Sequence, residues 1–155
     1  MSKFLLAAAM QSLILAAACT AQPSDKLLAP AEFNISYKSD TGALLLDVRT
    51  LNEVSKGYIP GASHIDFYNQ QFNQQISTID KQRGVYVYCG SGARSADAAA
   101  IMRDMGFTSV YEMDGGLIAW KLQNLPVTTP LKQAASSEAI MSEQAFNGTM
   151  QSYPL

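Results

Sequence analysis

Histidine and cysteine are almost missing from this chain, which holds one His and two Cys in 155 residues. That scarcity excludes a zinc centre of the usual Cys/His kind and a scaffold stapled by several disulfides. Basic clusters are missing as well. Eleven Lys and Arg stand against 13 Asp and Glu, a formal net charge of −2, and the cations are scattered. Nothing therefore marks a nucleic-acid surface. The chain has no glycine-rich phosphate loop of the Walker type and no dinucleotide fingerprint. Neither a metal nor a cofactor is expected. No apolar stretch reaches the roughly 20 residues of a membrane span.

The longest apolar stretch, Phe4–Ala18, has a different reading. It follows Lys3 and is succeeded by small and then polar residues, the layout of a secretory signal peptide over residues 1–21. Two processing routes remain open. Ala16–Cys19 resembles a bacterial lipoprotein box, with Leu15 four residues before the cysteine instead of three, and Cys19 would carry lipid. Alternatively, cleavage after Ala18 or Ala21 releases a soluble protein. The expectation is an exported domain, periplasmic or lipid-anchored in the bacterial envelope, touching membrane only through a lipid on Cys19. With Cys19 removed or capped, Cys89 is the one free thiol of the mature chain. Exported domains normally use cysteines in pairs. An unpaired one is either a small buried hydrophobe or a working group.

What remains, 48% hydrophobic and 15% charged, is enough for one domain with a true core. Residues 22–29 read as a linker, 30–130 as the domain and 131–155 as a tail that is mobile or carries a short helix. Within the domain, short apolar runs alternate with helical patterns. Ala43–Val48 and Gly84–Cys89 read as buried strands, and Ala62–Ile65 and Thr108–Met113 as further strands. Thr50 with Glu53 forms a capping box for a short helix that Gly57 ends. Phe67–Asp80 spaces Phe67, Phe72 and Ile76 as a polar-faced helix. Arg94–Gly106 reads as a helix with Ala96, Ala99, Ala100 and Met102 on its apolar side, and Gly115–Asn124 as a last one. Strands alternating with helices imply an α/β domain, a mostly parallel central sheet with helices on both faces.

In such a sheet, the turn after Gly84–Tyr88 lies at the carboxyl edge of the strands, where these folds place their sites. Cys89 stands at that turn. Gly90, Ser91, Gly92 and Ala93 carry almost no side-chain bulk, so their N–H groups can converge on one point in front of a helix N-terminus. Such a cradle binds anions and favours thiolate over thiol. Arg94 adds a fixed positive charge at the rim. Singly, the glycines make a tight turn and the arginine a solvated first-turn residue. Taken with Cys89, they make a nucleophile site.

Three stretches carry a family resemblance. Leu45–Ala62 ("LLDVRTLNEVSKGYIPGA"), Tyr88–Ala99 ("YCGSGARSADAA") and Val110–Val127 ("VYEMDGGLIAWKLQNLPV") resemble, in order, three signatures of the rhodanese-like sulfurtransferase family. The single-domain exported form is similar to its phage-shock type. The resemblance implies the rhodanese-like fold, a Cys89 persulfide, and a cradle for the extra sulfur made by the N–H groups of Gly90, Ser91, Gly92, Ala93 and Arg94. It implies that Arg94 steers an anionic donor. Asp47 and Arg49 match an Asp-x-Arg that supports the site, read as an ion pair with Glu53 in reach. Gly115, Gly116 and Trp120 match packing positions. Tyr58 stands where His is common, and His64, the only histidine, has no assigned role. Phosphate-handling relatives have five residues between Cys and Arg, and here there are four, which favours sulfur. The implied reaction moves a sulfane sulfur from thiosulfate or a related donor to cyanide or a thiol. The other reading is a persulfide carrier or redox-sensing module serving a protein thiol partner.

Overall fold

A computed structural model describes residues 24–130. The stretch read as a signal peptide, Cys19 and the tail from 131 to 155 lie outside the described residues. In chain order the elements are β1 (Ser24–Leu28), α1 (Pro30–Ser39), β2 (Leu44–Asp47), α2 (Leu51–Val54), β3 (Ser63–His64), α3 (Phe72–Ser77), β4 (Val85–Tyr88), α4 (Ala93–Asp104), β5 (Ser109–Met113) and α5 (Gly116–Leu122). The strands form one five-stranded sheet in the order β1-β5-β4-β2-β3, with every pair parallel. Helices cover both faces.

The apolar runs form strands because the sheet buries them on both sides. All four residues of β4 are buried. Side chains alternate across the sheet with a period of two, and this divides the core. Val85, Val87 and Cys89 join Leu46, Phe72, Ile76, Ala98, Ala99 and Met102 on the face covered by α3 and α4. Tyr86 and Tyr88 join Leu45, Phe33, Leu117 and Trp120 on the face covered by α1 and α5. There Phe33 meets Tyr86 edge-on at 5.5 Å and Tyr86 stacks on Tyr111 at 4.5 Å, geometries that favour aromatic pairs.

The structure departs from the sequence reading at several points. Residues 22–29 read as a linker, yet Ser24–Leu28 pairs in parallel along the whole of β5. Its Ser-Asp-Lys-Leu-Leu sequence has no alternation to announce a strand. It is an edge strand, which accommodates charge where a central one does not. Pro30 then starts α1 at a position where its missing N–H costs nothing. The helix expected from Phe67 begins only at Phe72. Before it, Asp66 Oδ1 accepts the N–H of Tyr68 at 2.9 Å and Asn69 Oδ1 that of Gln71 at 2.8 Å. These side-chain turns compete with the helix. On α4, Ala96 and Ala100 are exposed, and the buried side is Ser95, Ala98, Ala99 and Met102. Alanine on both sides of a helix leaves its phase undefined by pattern alone.

At the carboxyl edge, Tyr88 links the two sides of the site. Its hydroxyl accepts the N–H of Ile59 at 3.1 Å and donates to the Asp47 carboxylate. Burial, with Asp47 adding, pushes the phenol pKa far up, so it stays neutral. Tyr88→Phe keeps the ring and strands a buried N–H. It should cost about 1–3 kcal/mol, read as a lowered denaturant midpoint with an unchanged slope.

Candidate active site

Cys89 follows β4 directly, and its backbone is fixed from the α5 side. The Leu117 N–H donates to the Cys89 carbonyl at 2.8 Å and the Ile118 N–H to the Gly90 carbonyl at 3.0 Å. These first-turn amides have no acceptor within their own helix. The approach is so close that a Cβ on Gly116 would lie 2.6 Å from the Cys89 carbonyl oxygen and 2.7 Å from the Gly90 carbonyl carbon. Gly116 therefore does more than pack. Its lack of a side chain lets α5 hold the loop. Trp120, 1% exposed, anchors the same helix by donating Nε1–H to the Pro126 carbonyl at 3.0 Å.

The loop then reverses at Gly92, whose φ of +105° is open to glycine and strained for other residues, and α4 begins. The reversal folds the chain over the sulfur. The Gly92 N–H donates to Cys89 Sγ at 3.1 Å, and the Ser95 hydroxyl lies 3.5 Å from Sγ and 2.9 Å from the Gly92 carbonyl. That hydroxyl has one proton, which it can turn to either acceptor. Burial opposes ionisation of this thiol. The Ser95 hydroxyl and the N–H groups of Ser95, Gly92 and Ser91 outweigh it, and the Cys89 pKa falls below its ordinary value. Of the five expected cradle amides, those of Ser91 and Gly92 act on the sulfur. Those of Ala93 and Arg94 belong to the first turn of α4, and Gly90 sits beneath the Arg94 side chain. Ser95 was not expected. Its signal was a small polar residue in phase with Ala98, Ala99 and Met102 on a buried helix side.

Arg94 holds Glu53 with both forks, Nη1 to Oε2 at 2.8 Å and Nη2 to Oε1 at 2.7 Å. Its guanidinium also lies 5.6 Å over the Tyr68 ring. The charge expected to steer a donor is thus already answered inside the protein. The same Glu53 carboxylate completes the capping box, accepting the Thr50 N–H at 3.0 Å and the Thr50 hydroxyl at 2.8 Å. The Arg94 hydrogen bond above all, against burial and helped by Thr50, lowers the Glu53 pKa to about 2. Arg94 is pushed up by Glu53 first, with the Cys89 charge adding.

Asp47 and Arg49 form an ion pair, in which the Glu53 carboxylate takes no part. Arg49 Nε donates to both oxygens of Asp47 at 2.9 and 3.0 Å, and its Nη2 reaches Asp47 and the Gly57 carbonyl. It meets only the main-chain carbonyl of Glu53, at 3.4 Å. The pair is buried, Asp47 at 0% and Arg49 at 4% exposure, and clamps the end of β2 to the turn after α2. His64 Nε2 donates to the Arg49 carbonyl at 2.7 Å, which gives the lone imidazole a structural partner. Tyr58 instead pins the chain to Thr128 through a backbone bridge.

Beside the loop opens a cleft of about 210 Å³, lined by Arg49, Glu53, Gly90, Leu117, Ile118 and Lys121. It meets the loop at Gly90, whereas Cys89, at 1% exposure, lies under the loop. The arrangement is a buried thiol whose ionisation is favoured by its neighbours, beside a small, partly apolar cleft.

Residues 34–123 match the rhodanese-like domain family. A sulfurtransferase of Allochromatium vinosum is 39% identical over 87 residues, covering 56% of this chain and 79% of that protein. The thiosulfate sulfurtransferase GlpE of Stutzerimonas stutzeri is 33% identical over 82 residues, covering 53% of this chain and 73% of that one. Among solved structures, the rhodanese-like domain of an Anabaena sp. protein superimposes with a TM-score of 0.58 at 26% identity, over 66% of this chain and 78% of that domain.

Two outcomes follow from the geometry. Ser95→Ala removes the leading donor to the sulfur, so the pH profile of Cys89 alkylation should move to higher pH and the rate at neutrality should fall several-fold. Glu53 has a lowered folded pKa, so its contribution to stability is complete above the ordinary value of 4.5 and is lost as pH falls toward about 2. Glu53→Gln keeps a residue able to complete the capping box. It should flatten the loss of stability across that window in denaturant titrations run at a series of pH values.

Proposed function

The chain belongs to the rhodanese-like family, and from that premise we propose that it is a sulfurtransferase working through a persulfide on Cys89. The observation that carries the reading is the buried sulfur surrounded by the Ser95 hydroxyl and the N–H groups of Ser95, Gly92 and Ser91, which lower its pKa. A thiol whose ionisation is favoured in place has less need of a general base, which suits a site whose one histidine is engaged with the Arg49 carbonyl.

The reaction has two displacements. The Cys89 thiolate attacks the outer sulfur of thiosulfate, the donor S–S bond breaks, and sulfite leaves with the electron pair. The persulfide so formed carries its charge on the outer sulfur, where the first-turn amides of α4 stand ready. In the second step, cyanide or a thiolate attacks that outer sulfur. Thiocyanate or a hydropersulfide departs, and the Cys89 thiolate returns with the electron pair of the broken bond. Asp47 and Arg49 support this site by holding the β2 edge, and export of the domain to the bacterial envelope belongs to the same reading.

A second reading is favoured by the surroundings of the site. Tyr68 and Ile118 are 68% and 60% exposed, one against Arg94 and the other on the cleft. Bare apolar groups beside a nucleophile suit a persulfide carrier or redox-sensing module that meets a protein thiol.

Incubation with thiosulfate should add the mass of one sulfur atom to the protein, and Cys89→Ser should abolish the addition. Failure of every sulfane donor to load the wild-type protein would sink the reading. Rapid turnover with cyanide or small thiols supports the enzyme. A stable persulfide that reacts only with a protein thiol supports the carrier.

A further inference from the structure

After α5 the chain turns back. Asn124 takes a left-handed φ of +55°, and the Leu125 N–H returns to the Trp120 carbonyl at 3.3 Å. The Pro126 carbonyl then accepts Trp120 Nε1–H. Two residues on, Thr128 and Tyr58 exchange both backbone hydrogen bonds at 2.9 Å. Tyr58 follows Gly57, whose carbonyl accepts Arg49 Nη2, and Arg49 lines the cleft. Residues 125–128 therefore lead from α5 to the turn after α2, and the described chain ends at Pro130 close to the cleft. Along that cleft α5 presents Ile118 and Lys121, with Leu122 one turn beyond Ile118. Ile118 and Leu122 are 60% and 79% exposed. Lys121 is exposed as well and has no ion-pair partner among the described residues. This helix side is an apolar stripe with a free ammonium in it, and it lies where the chain departs.

Residues 131–155 carry the complementary chemistry. They hold one cation, Lys132, and two acids, Glu138 and Glu143. Ile140, Glu143 and Phe146 set a carboxylate between two apolar residues, as Ile118, Lys121 and Leu122 set an ammonium. Reach is ample. Ten positions separate Pro130 from Ile140, up to about 33 Å of extended chain, and α5 is only about 10 Å long. We propose that this tail folds back over the exposed side of α5, seating Ile140 and Phe146 on Ile118 and Leu122 and bringing Glu143 to the Lys121 ammonium. The tail then removes from water an apolar stripe that the domain leaves bare. It also occupies Ile118, so a protein partner that uses this residue competes with the tail. The assignment concerns the surface of α5 and stands apart from the sulfur chemistry.

The test uses the chain with its tail in place and reads lysine acetylation residue by residue by mass spectrometry. Lys38 and Lys56, exposed on α1 and after α2, are internal standards. The double variant Ile140→Asp with Phe146→Asp alters the tail alone, so the folded domain is untouched. It should raise the rate at Lys121 relative to both standards about two- to fivefold, as should Glu143→Lys. A zero-length carbodiimide cross-link should join Lys121 to Glu143 within one molecule of the wild-type protein. High salt, which screens the pair, should weaken that link, and the double variant should lose most of it. Relative rates at Lys121 that are the same in the wild-type protein and both variants overturn the assignment and leave α5 open to another occupant. A link found only between two molecules also overturns it, and assigns the stripe to a second copy of the chain.

Discussion

One carboxylate, that of Glu53, serves two helices that are far apart in sequence. It closes the capping box on Thr50 at the start of α2, and with its remaining valence it takes both forks of Arg94 at the start of α4. The first function is local and sets where α2 begins. The second fixes the far end of the sulfur loop, because Arg94 belongs to the first turn after Gly92. The near end is fixed independently by the amides of α5 on the Cys89 and Gly90 carbonyls. Between these supports the loop has little freedom, so its N–H groups are aimed before any substrate arrives. Preorganised donors of this kind need no reorientation when charge develops.

The electrostatics of the site follow from where charges are matched. Asp47 with Arg49 and Glu53 with Arg94 are internal pairs. The charge on the sulfur is met by main-chain amides and one hydroxyl, all neutral groups. The thiolate is therefore stabilised without a standing excess of positive charge. A site built this way holds a single anionic sulfur well and exerts little long-range pull on a dianion. The partly apolar cleft extends the same logic, since Leu117 and Ile118 line it and the charges of Arg49 and Glu53 there are matched within the protein.

Much of this was legible in the sequence, and the reasons differ from residue to residue. β2 and β4 announced themselves because strands buried on both faces are almost continuously apolar. The capping box of Thr50 and Glu53 was visible because its chemistry lies within one turn of chain. The position of Cys89 followed from strand, tiny loop and helix in succession. The edge strand β1 was hidden because its pairing lies entirely with β5, some 85 positions further along the chain, and its own residues carry no pattern. Ser95 was hidden by a neighbourhood of alanines that blurs the helix phase. The partnership of Glu53 with Arg94 bridges 41 positions, and no local rule predicts which of two nearby arginines a carboxylate will choose. Arg49 was the nearer in sequence, but Asp47 had already occupied it.

The parity of β4 has a consequence for how such a chain can vary. Val85, Val87 and Cys89 face α4, while Tyr86 and Tyr88 face α5. A single residue gained or lost within this strand would exchange the two sets. The sulfur would then emerge on the tyrosine side, away from Ser95 and the opening of α4. The tyrosines would be driven into space shaped for valine. Substitutions along the strand can be absorbed by degree, but a change in its length cannot. The nucleophile is tied to an even-or-odd count, which makes indels in this short segment a sharper barrier to drift than any single replacement.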